Sequence, residues 1–259
     1  MKRSAFLTLT AALALTNACC NTQEAEVIPI QDNVEPRLMP RALFADAPDS
    51  LITELGLEDG IPASVCAFLI KTGGKEILFD AANGTPDSQL LPTLESHGTA
   101  PEDIDHIFIT HLHGDHIGGL VKEDTAVFSN AKVHINKTEL DSWLAMPAEQ
   151  TGKLGKVIEA YKGRLHAFTQ GDALPCGISS IEAYGHTAGH TMYQIGNIVI
   201  AGDIMHGTAL QLGYPQFNAR FDSDQTMAIA SRRSLLEYAS RNGLKVYGMH
   251  FPAPYFIEF

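Results

Sequence analysis

The chain is poor in cysteine and tryptophan, and the shortage of cysteine narrows the kinds of site it can form. It holds four cysteines and one tryptophan among 259 residues. Cys19 and Cys20 lie near the start, and no pair of cysteines has the spacing of a zinc finger. Cys66 stands in an apolar run from residue 65 to residue 70. We therefore predict a buried thiol at Cys66 rather than a disulfide.

Basic residues are also scarce. The chain has 18 lysines and arginines against 30 acidic residues, which gives a formal net charge of -12 at neutral pH. Proteins that bind nucleic acids neutralise phosphates with clustered basic side chains. The charge balance thus argues against a nucleic acid partner and favours a small-molecule substrate.

Only the first segment contains a long apolar run, and it is too short to serve as a permanent membrane span. Lys2 and Arg3 precede an apolar stretch from residue 5 to residue 15, which is typical of a signal peptide. We predict that residues 1–18 are a signal peptide, whose removal would bring the formal charge to -14. Alternatively, Cys19 is lipidated. The chain is therefore expected to be exported, as a periplasmic protein or a membrane-tethered lipoprotein, with no membrane span.

The rest of the chain is predicted to form an N-terminal arm, residues 19–45, and one domain, residues 46–259. Three prolines suggest that the arm is irregular. Residues 65–70 and 76–80 flank Gly73 and Gly74, which predicts a β-hairpin. Other predicted strands cover 106–109, 132–135, 165–168, 178–184, 191–195, 197–201 and 245–249, and predicted helices cover 87–97, 138–143, 152–161 and 223–242.

Three histidines and an aspartate crowd into six positions directly after a predicted strand. They are His111, His113, Asp115 and His116. Histidines two apart on an extended chain point to the same side, and a turn at Gly114 can bring the next two side chains back toward them. Imidazole and carboxylate donors suit zinc and its first-row neighbours. The segment therefore predicts a metal site.

Three further donors follow predicted strands. His186 lies between two strands, Asp203 follows the strand 197–201, and His250 follows the strand 245–249. Polar side chains placed at strand ends in four separate segments are hard to explain as packing. They are interpreted as ligands of the same centre.

These segments together resemble the metallo-β-lactamase superfamily, whose signature is His-x-His-x-Asp-His followed by separated ligands. The resemblance covers most of the chain after residue 18 and is most like the branch of methyl parathion hydrolase and related lactonases. It implies an α/β fold, a four-layer αβ/βα sandwich of two mixed β-sheets flanked by helices. The motif is specific for fold and metal and says little about the substrate.

The resemblance also implies a role for each ligand. His111, His113 and His186 would hold the first of two divalent metal ions, zinc in first place, with manganese, iron or cobalt as alternatives. Asp115, His116 and His250 would hold the second. Asp203 would bridge both ions together with a water or hydroxide. That hydroxide would attack an ester-like bond, and Asp115 would also transfer a proton.

Several substrates and rival functions remain open at this stage. A lactone, a carboxylic ester or a phosphotriester would suit the chemistry, and a lactonase or general esterase is ranked first. β-Lactam hydrolysis is an alternative, although no cysteine ligand accompanies Asp203 as in some zinc β-lactamases. A non-catalytic metal-binding protein is another, and the absence of a flavin domain disfavours flavin-partnered di-iron chemistry. The sequence does not indicate an oligomeric state.

Other residues are expected around the centre. Asp80 falls where the family has a strand-end aspartate that supports the metal loop, but the family's Asp-x-Gly is here Asp80 followed by two alanines, which is expected to alter the pocket rim. His190 is predicted to support the ligands. Trp143 and His206 are candidates for the substrate pocket, with helix packing as the alternative for Trp143.

Four other histidines are assigned to the surface or to helix caps, namely His97, His106, His134 and His166. Related enzymes continue into a terminal strand after the last ligand, so the end at Phe259 is interpreted as truncated or shortened.

Overall fold

A computed structural model describes residues 25–259. The predicted signal peptide and the predicted lipidation of Cys19 lie outside the described residues. Within residues 25–259, no helix combines the length and the apolar character that crossing a bilayer requires.

The chain forms fifteen strands within the described range. They are β1 Glu26–Gln31, β2 Arg37–Met39, β3 Ile61–Ala63, β4 Cys66–Thr72, β5 Lys75–Phe79, β6 His106–Ile109, β7 Val121–Lys122, β8 Thr125–Ala126, β9 Lys132–Asn136, β10 Leu165–Phe168, β11 Ser179–Glu182, β12 Thr191–Ile195, β13 Ile198–Ile200, β14 Lys245–Tyr247 and β15 Phe256–Glu258.

Seven α-helices and four short 3-10 helices accompany the strands within residues 25–259. The α-helices are α1 Asp49–Glu54, α2 Leu90–Ser96, α3 Gly114–Ile117, α4 Lys137–Leu144, α5 Ala148–Ala160, α6 Thr208–Gln211 and α7 Gln225–Asn242. The 3-10 helices are Arg41–Phe44, Pro101–Asp103, Gly118–Leu120 and Pro175–Gly177.

Two mixed sheets form the centre of the fold. The first has the order β1-β4-β5-β6-β9-β10, and the second has the order β11-β12-β13-β14-β15. In the first sheet β5, β6, β9 and β10 are parallel, while β1 and β4 add antiparallel pairs. In the second sheet only β13 and β14 are parallel. The two short pairs β2-β3 and β7-β8 lie outside these sheets.

The apolar residues sort into layers that hold the sheets together. Alternate residues of β4 and β5, such as Phe68 and Phe79, face the second sheet and pack with Tyr193 and Tyr247. The opposite face of the first sheet packs under α2 and α5. The outer face of the second sheet packs under α7 through Leu235 and its neighbours. This is the αβ/βα sandwich that the sequence resemblance implied, because each sheet buries one face against the other and one against helices.

The N-terminal arm differs from the prediction. Residues 19–45 were expected to be irregular, yet Glu26–Gln31 pairs antiparallel with β4 along its whole length. Pro29 is tolerated there because β1 is the edge strand of its sheet, where one side of the strand needs no hydrogen-bond donors. The strand β15 near the end of the chain was not predicted either, and it pairs with β14.

The hairpin at Gly73 and Gly74 is confirmed as the connection between β4 and β5. The predicted strands and the four predicted helices are also confirmed, with ends that differ by a few residues. The buried, free thiol of Cys66 is confirmed as well, and burial raises its pKa to about 12. The polar segments after β6, β13 and β14 all emerge at one edge of the sandwich, and this edge carries the site.

Candidate metal centre

Three ring nitrogens converge at the first group of donors. His113 Nδ1 lies 2.8 Å from His111 Nε2 and 3.0 Å from His186 Nε2, and the two Nε2 atoms are 3.1 Å apart. Nitrogens bound tetrahedrally to one zinc ion lie about 3.3 Å apart. Small ring movements would therefore admit an ion between them.

A second group of donors lies beside the first. His250 Nε2 is 3.8 Å from Asp115 Oδ2, and His116 Nε2 is 4.0 Å from Asp115 Oδ1. One possible ligand atom from each of these three residues lies within 4.8 Å of the other two, which is close enough to share a metal ion. The same holds for the four residues of the first group and its neighbour, namely His111, His113, His186 and Asp203. Asp115 is the more accessible carboxylate of the centre, with 29% of its side chain exposed against 3% for Asp203.

Asp203 lies between the two groups. Its Oδ2 is 3.5 Å from His186 Nε2 in the first group and 3.1 Å from His250 Nε2 in the second. Its Oδ1 is 3.2 Å from His116 Nε2. One carboxylate thus faces donors of both groups, so all seven residues proposed as ligands from the sequence come together in the fold.

Buried atoms without partners show that the donor set suits a cation. His116 Nε2 and Asp203 Oδ1 lie close together but make no well-formed hydrogen bond, and both are buried without a partner among the described residues. A buried polar atom left unsatisfied costs free energy. Divalent ions coordinated by these atoms would remove that cost, so the residues present fit a metal centre.

The charges of the centre reinforce this fit. Burial and the neighbouring His116 hold the pKa of His111 well below its usual range, so its ring is neutral and able to bind a metal. Burial alone would raise the pKa of Asp203, but His250 and His116 outweigh it and hold that pKa well below its usual range. Asp203 is therefore a carboxylate.

Asp80 supports the second group from behind. Its Oδ2 lies 2.8 Å from His116 Nδ1, and it accepts hydrogen bonds from the backbone N–H and the hydroxyl of Thr110. His250 is held in a similar way, because its Nδ1 lies 2.8 Å from the carbonyl oxygen of Ser64. Such partners fix the ring orientation of a ligand and leave Nε2 free to bind.

His186 is oriented by a residue that sequence analysis missed. Its Nδ1 lies 3.1 Å from Oδ1 of Asp222, whose Oδ2 accepts a hydrogen bond from the buried Arg232. Asp222 is separated from His186 by 36 positions and precedes a helix, where an acidic residue is common for other reasons. Nothing local in the sequence marks it as part of the site.

Glu139 is a second missed residue. It is fully buried in the first turn of α4 and accepts hydrogen bonds from the two loops that carry His111, His113 and His186. Burial raises the pKa of its carboxyl group. A glutamate in the first turn of a helix usually faces solvent and favours the helix dipole, so the sequence alone gave no reason to place it inside.

His190 lies directly behind Asp203. Its Nε2 accepts a hydrogen bond from the backbone N–H of Asp203 over 3.0 Å, and burial lowers its pKa to about 3. Gly202, with a φ of 54°, makes this approach possible. A Cβ at Gly202 would lie 2.6 Å from His190 Nε2.

Aromatic side chains border the centre on two sides. The ring of Trp143 lies edge-on to His113 at a centroid distance of 5.6 Å. His206 is buried, with Nε2 3.2 Å from Asp203 Oδ2, and its ring lies 5.3 Å from the half-exposed ring of Phe221. Trp143 also packs at the edge of the core under the first sheet, so it contacts both the core and the centre.

One assignment of a distant histidine was wrong. His134 was placed on the surface or at a helix cap, but it is buried and stacks on Phe108 at 4.6 Å. Its Nε2 lies 3.0 Å from Nδ1 of His106, on the neighbouring strand. These residues lie outside the groups of donors described above.

Comparisons with known proteins agree with the fold. The profile of the family described as the metallo-beta-lactamase superfamily matches residues 61–250. Among solved structures, the chain is similar to hydrolase AbOPH in the beta lactamase superfamily, at 29% identity over 91% of this chain and 90% of that chain, with a TM-score of 0.81. It shares the fold of AidC, a dizinc quorum-quenching lactonase, at 24% identity over 90% of each chain, with a TM-score of 0.80.

Curated relatives with similar sequences include nucleases. Exodeoxyribonuclease WalJ from Streptococcus pneumoniae serotype 2 (strain D39 / NCTC 7466) is 32% identical over 141 residues, which cover 52% of this chain and 46% of that protein. Ribonuclease BN from Cronobacter sakazakii (strain ATCC BAA-894) is 30% identical over 143 residues, covering 51% and 44%. The chain thus spans about half the length of the curated relatives it matches.

Proposed function

The chain belongs to the metallo-β-lactamase superfamily and is a metal-dependent hydrolase, and on that basis we propose that it cleaves an ester-like bond. A lactone or a carboxylic ester is the first substrate class, and a phosphotriester is the second. The observation that carries the proposal is the position of Asp203, whose carboxylate faces both groups of ligand histidines.

We assign His111, His113 and His186 to one divalent ion and Asp115, His116 and His250 to another, with Asp203 shared. Imidazole and carboxylate donors at this spacing suit zinc first, and manganese, iron or cobalt as alternatives. When bound, two such ions would supply Lewis acidity and bring the pKa of a coordinated water toward neutrality. The protein then needs no serine or cysteine nucleophile.

The protein's own residues would orient the substrate and move the proton. Asp203 is buried and anionic, so it would act as a fixed ligand rather than as a proton carrier. Asp115 is more accessible and lies 3.8 Å from His250 Nε2. We propose that Asp115 takes up the proton that the attacking water loses and passes it to the leaving oxygen as the scissile bond breaks, since a proton carrier must reach both the centre and the substrate.

The rim of the centre favours a substrate with an apolar part. Trp143 flanks the first group and Phe221 flanks His206, so aromatic surface lies on two sides of the polar centre. An apolar substrate portion would bury this surface, while the ester group would face the donors. An aryl or alkyl chain next to the scissile bond meets this requirement.

Nucleic acid hydrolysis is the second candidate, because the sequence is similar to parts of two nucleases. A formal net charge of -12 opposes it, since polyanion binding depends on basic side chains. β-Lactam hydrolysis is a third possibility on the same scaffold. We also propose that the protein is exported, and size comparison of the precursor and the mature chain in cell fractions would test this.

A substrate panel tests the proposal. Zinc-loaded full-length chain is assayed with lactones of increasing acyl length, aryl esters, phosphotriesters, a chromogenic cephalosporin and single-stranded DNA. We expect the highest kcat/KM on a lactone or aryl ester, and loss of that activity in His113→Ala with the circular dichroism spectrum unchanged. Faster turnover of DNA or cephalosporin, or full activity in His113→Ala, contradicts the proposal.

A further inference from the structure

Glu139 is a buried carboxylate whose surroundings are not explained by packing. It has no exposed surface, and no lysine, arginine or histidine side chain forms a hydrogen bond with it among residues 25–259. Burying a charged group without a cation is costly unless hydrogen bonds compensate for the lost water. Three hydrogen bonds from the loops that carry the candidate metal ligands do so here, and the side chain of Trp143 on the same helix also favours the charged form.

The three hydrogen bonds join two loops that are far apart in the sequence. Oε1 of Glu139 accepts the backbone N–H of Leu112 over 3.0 Å, and Leu112 lies between His111 and His113. Oε2 accepts the hydroxyl of Thr187 over 2.7 Å and the backbone N–H of Gly189 over 2.9 Å. Thr187 directly follows His186, so each oxygen of Glu139 holds one of the two loops.

The backbone of α4 also sets the position of the second loop. Gly189 packs so closely against this helix that a Cβ there would lie 2.1 Å from the backbone nitrogen of Glu139. Asn136 caps the helix by accepting the N–H of Thr138, and its side-chain amide donates to the hydroxyl of Thr191 over 2.9 Å. The start of α4 is therefore a fixed support against which the loop is positioned.

We propose that Glu139 is a positioning residue that sets the distance between the two loops and thereby brings the nitrogens of His111, His113 and His186 together. The second group of ligands is supported by other atoms, namely Asp80 behind His116 and the carbonyl of Ser64 behind His250. Glu139 therefore acts selectively on the first metal site. The inference depends on the metal centre of the proposed function and is independent of the substrate.

Glu139→Gln is the sharpest variant, because it keeps the size of the side chain and changes one oxygen into an NH2 donor. That donor would face backbone N–H or hydroxyl groups that also donate. We expect one of two zinc ions to bind about 10–100-fold more weakly, as is usual when a partner of a ligand is lost, while the Kd of the other ion stays unchanged. The absorption bands of bound Co²⁺ should change for the same single ion.

Competition with a chromophoric chelator measures the two Kd values on the full chain, with circular dichroism to verify folding. His113→Ala and His250→Ala identify which ion belongs to which group. Glu149→Gln, an exposed glutamate in the first turn of α5, is the matched control and should bind both ions as the unaltered chain does.

Thr187→Val provides a milder test, since it removes one of the three hydrogen bonds and should weaken the same ion by a smaller factor. If Glu139→Gln does not fold, the Kd values of the two ions in Thr187→Val are compared with those of the unaltered chain instead. Unchanged Kd values for both ions, or equal weakening of both, would overturn the inference. A chain that binds two ions but hydrolyses nothing in the panel contradicts the proposed function and leaves the role of Glu139 standing.

Discussion

His186 Nδ1 lies 3.1 Å from Oδ1 of Asp222, and the guanidinium group of Arg232 donates to the other oxygen of that carboxylate over 3.2 Å. All three side chains are buried. A carboxylate behind a ligand histidine fixes the tautomer and the direction of its free nitrogen. Asp222 therefore links the long helix α7, which carries Arg232, to the first group of donors.

Asp222→Asn tests the contact with His186. The amide still fills the space but weakens the interaction with the imidazole N–H, so we expect the first ion to bind about 10–100-fold more weakly. Zinc retained after dialysis against a chelator measures the loss. Asp224→Asn is the control, because asparagine caps a helix about as well as aspartate and Asp224 caps α7. Equal zinc retention in both variants would show that Asp222 does not support the site.

Arg232→Met tests the stability that the buried pair provides. Arg232 donates to Asp222 and to the carbonyl oxygens of Ile204, Pro215 and Phe217, and methionine can donate to none of them. Removing one partner of a buried ion pair leaves the other charge uncompensated, and we expect the free energy of unfolding to fall by about 3–5 kcal/mol. Urea unfolding of this variant and of the unaltered chain measures the difference in free energy. Arg233→Met, at an exposed neighbouring position, should change it little, and a similar loss in both variants would contradict the account.

The candidate metal ligands could be predicted from the sequence because most of them lie close together in the chain. Four donors within six positions, directly after one strand, indicate a metal site without any knowledge of the rest of the fold. The strands and the long helices were also predictable from apolar patterns and glycine turns. Resemblance to a family supplied the grouping of the ligands into two sites.

There is a physical reason why the sequence did not reveal Glu139, Asp222 and the strand β1. An acidic residue at the start of a helix looks the same in sequence whether it faces water or a buried loop, and only the tertiary fold decides. Pro29 suggested an irregular arm, but an edge strand tolerates proline. His134 was misassigned because its burial depends on Phe108, which lies on a neighbouring strand.

His134 should make the stability of the protein depend on pH. Burial, with help from His106, His166 and Lys132, lowers its pKa from 6.5 to about 3. In the unfolded chain His134 takes up a proton as the pH falls below 6.5, whereas in the folded chain its side chain stays neutral at the same pH. The free energy of unfolding therefore falls progressively between pH 6.5 and pH 3 because of His134, and at pH 5 it is lower than at pH 7 by about 1–2 kcal/mol from this residue.

His134→Gln checks this dependence, because glutamine does not titrate. The loss of unfolding free energy between pH 7 and pH 5 should be smaller in His134→Gln than in the unaltered chain. His97→Gln, the same substitution at an exposed histidine, is the matched control. An identical acid loss in His134→Gln and the unaltered chain would refute the assignment.

Phe221→Ala tests the apolar rim. Phe221 is 45% exposed and borders His206, so it can cover an apolar substrate chain. Losing this contact should raise KM about tenfold for a long-chain ester with little change in kcat, since burying an aromatic side chain contributes about 1.5–3 kcal/mol. Steady-state kinetics with a short-chain and a long-chain ester measure the change in KM for each substrate. Tyr238→Ala, an exposed aromatic on α7, is the control, and equal KM changes on both chain lengths would argue against the rim.

Titration of the metal-free full chain with Zn²⁺, while hydrolysis of the best substrate from the panel is recorded, measures how far turnover depends on bound metal. We expect the chain to bind two ions, turnover to rise as they bind, and a chelator to remove both the ions and the turnover. Fewer than two bound ions at saturation, or hydrolysis that continues in the metal-free chain, would contradict the account.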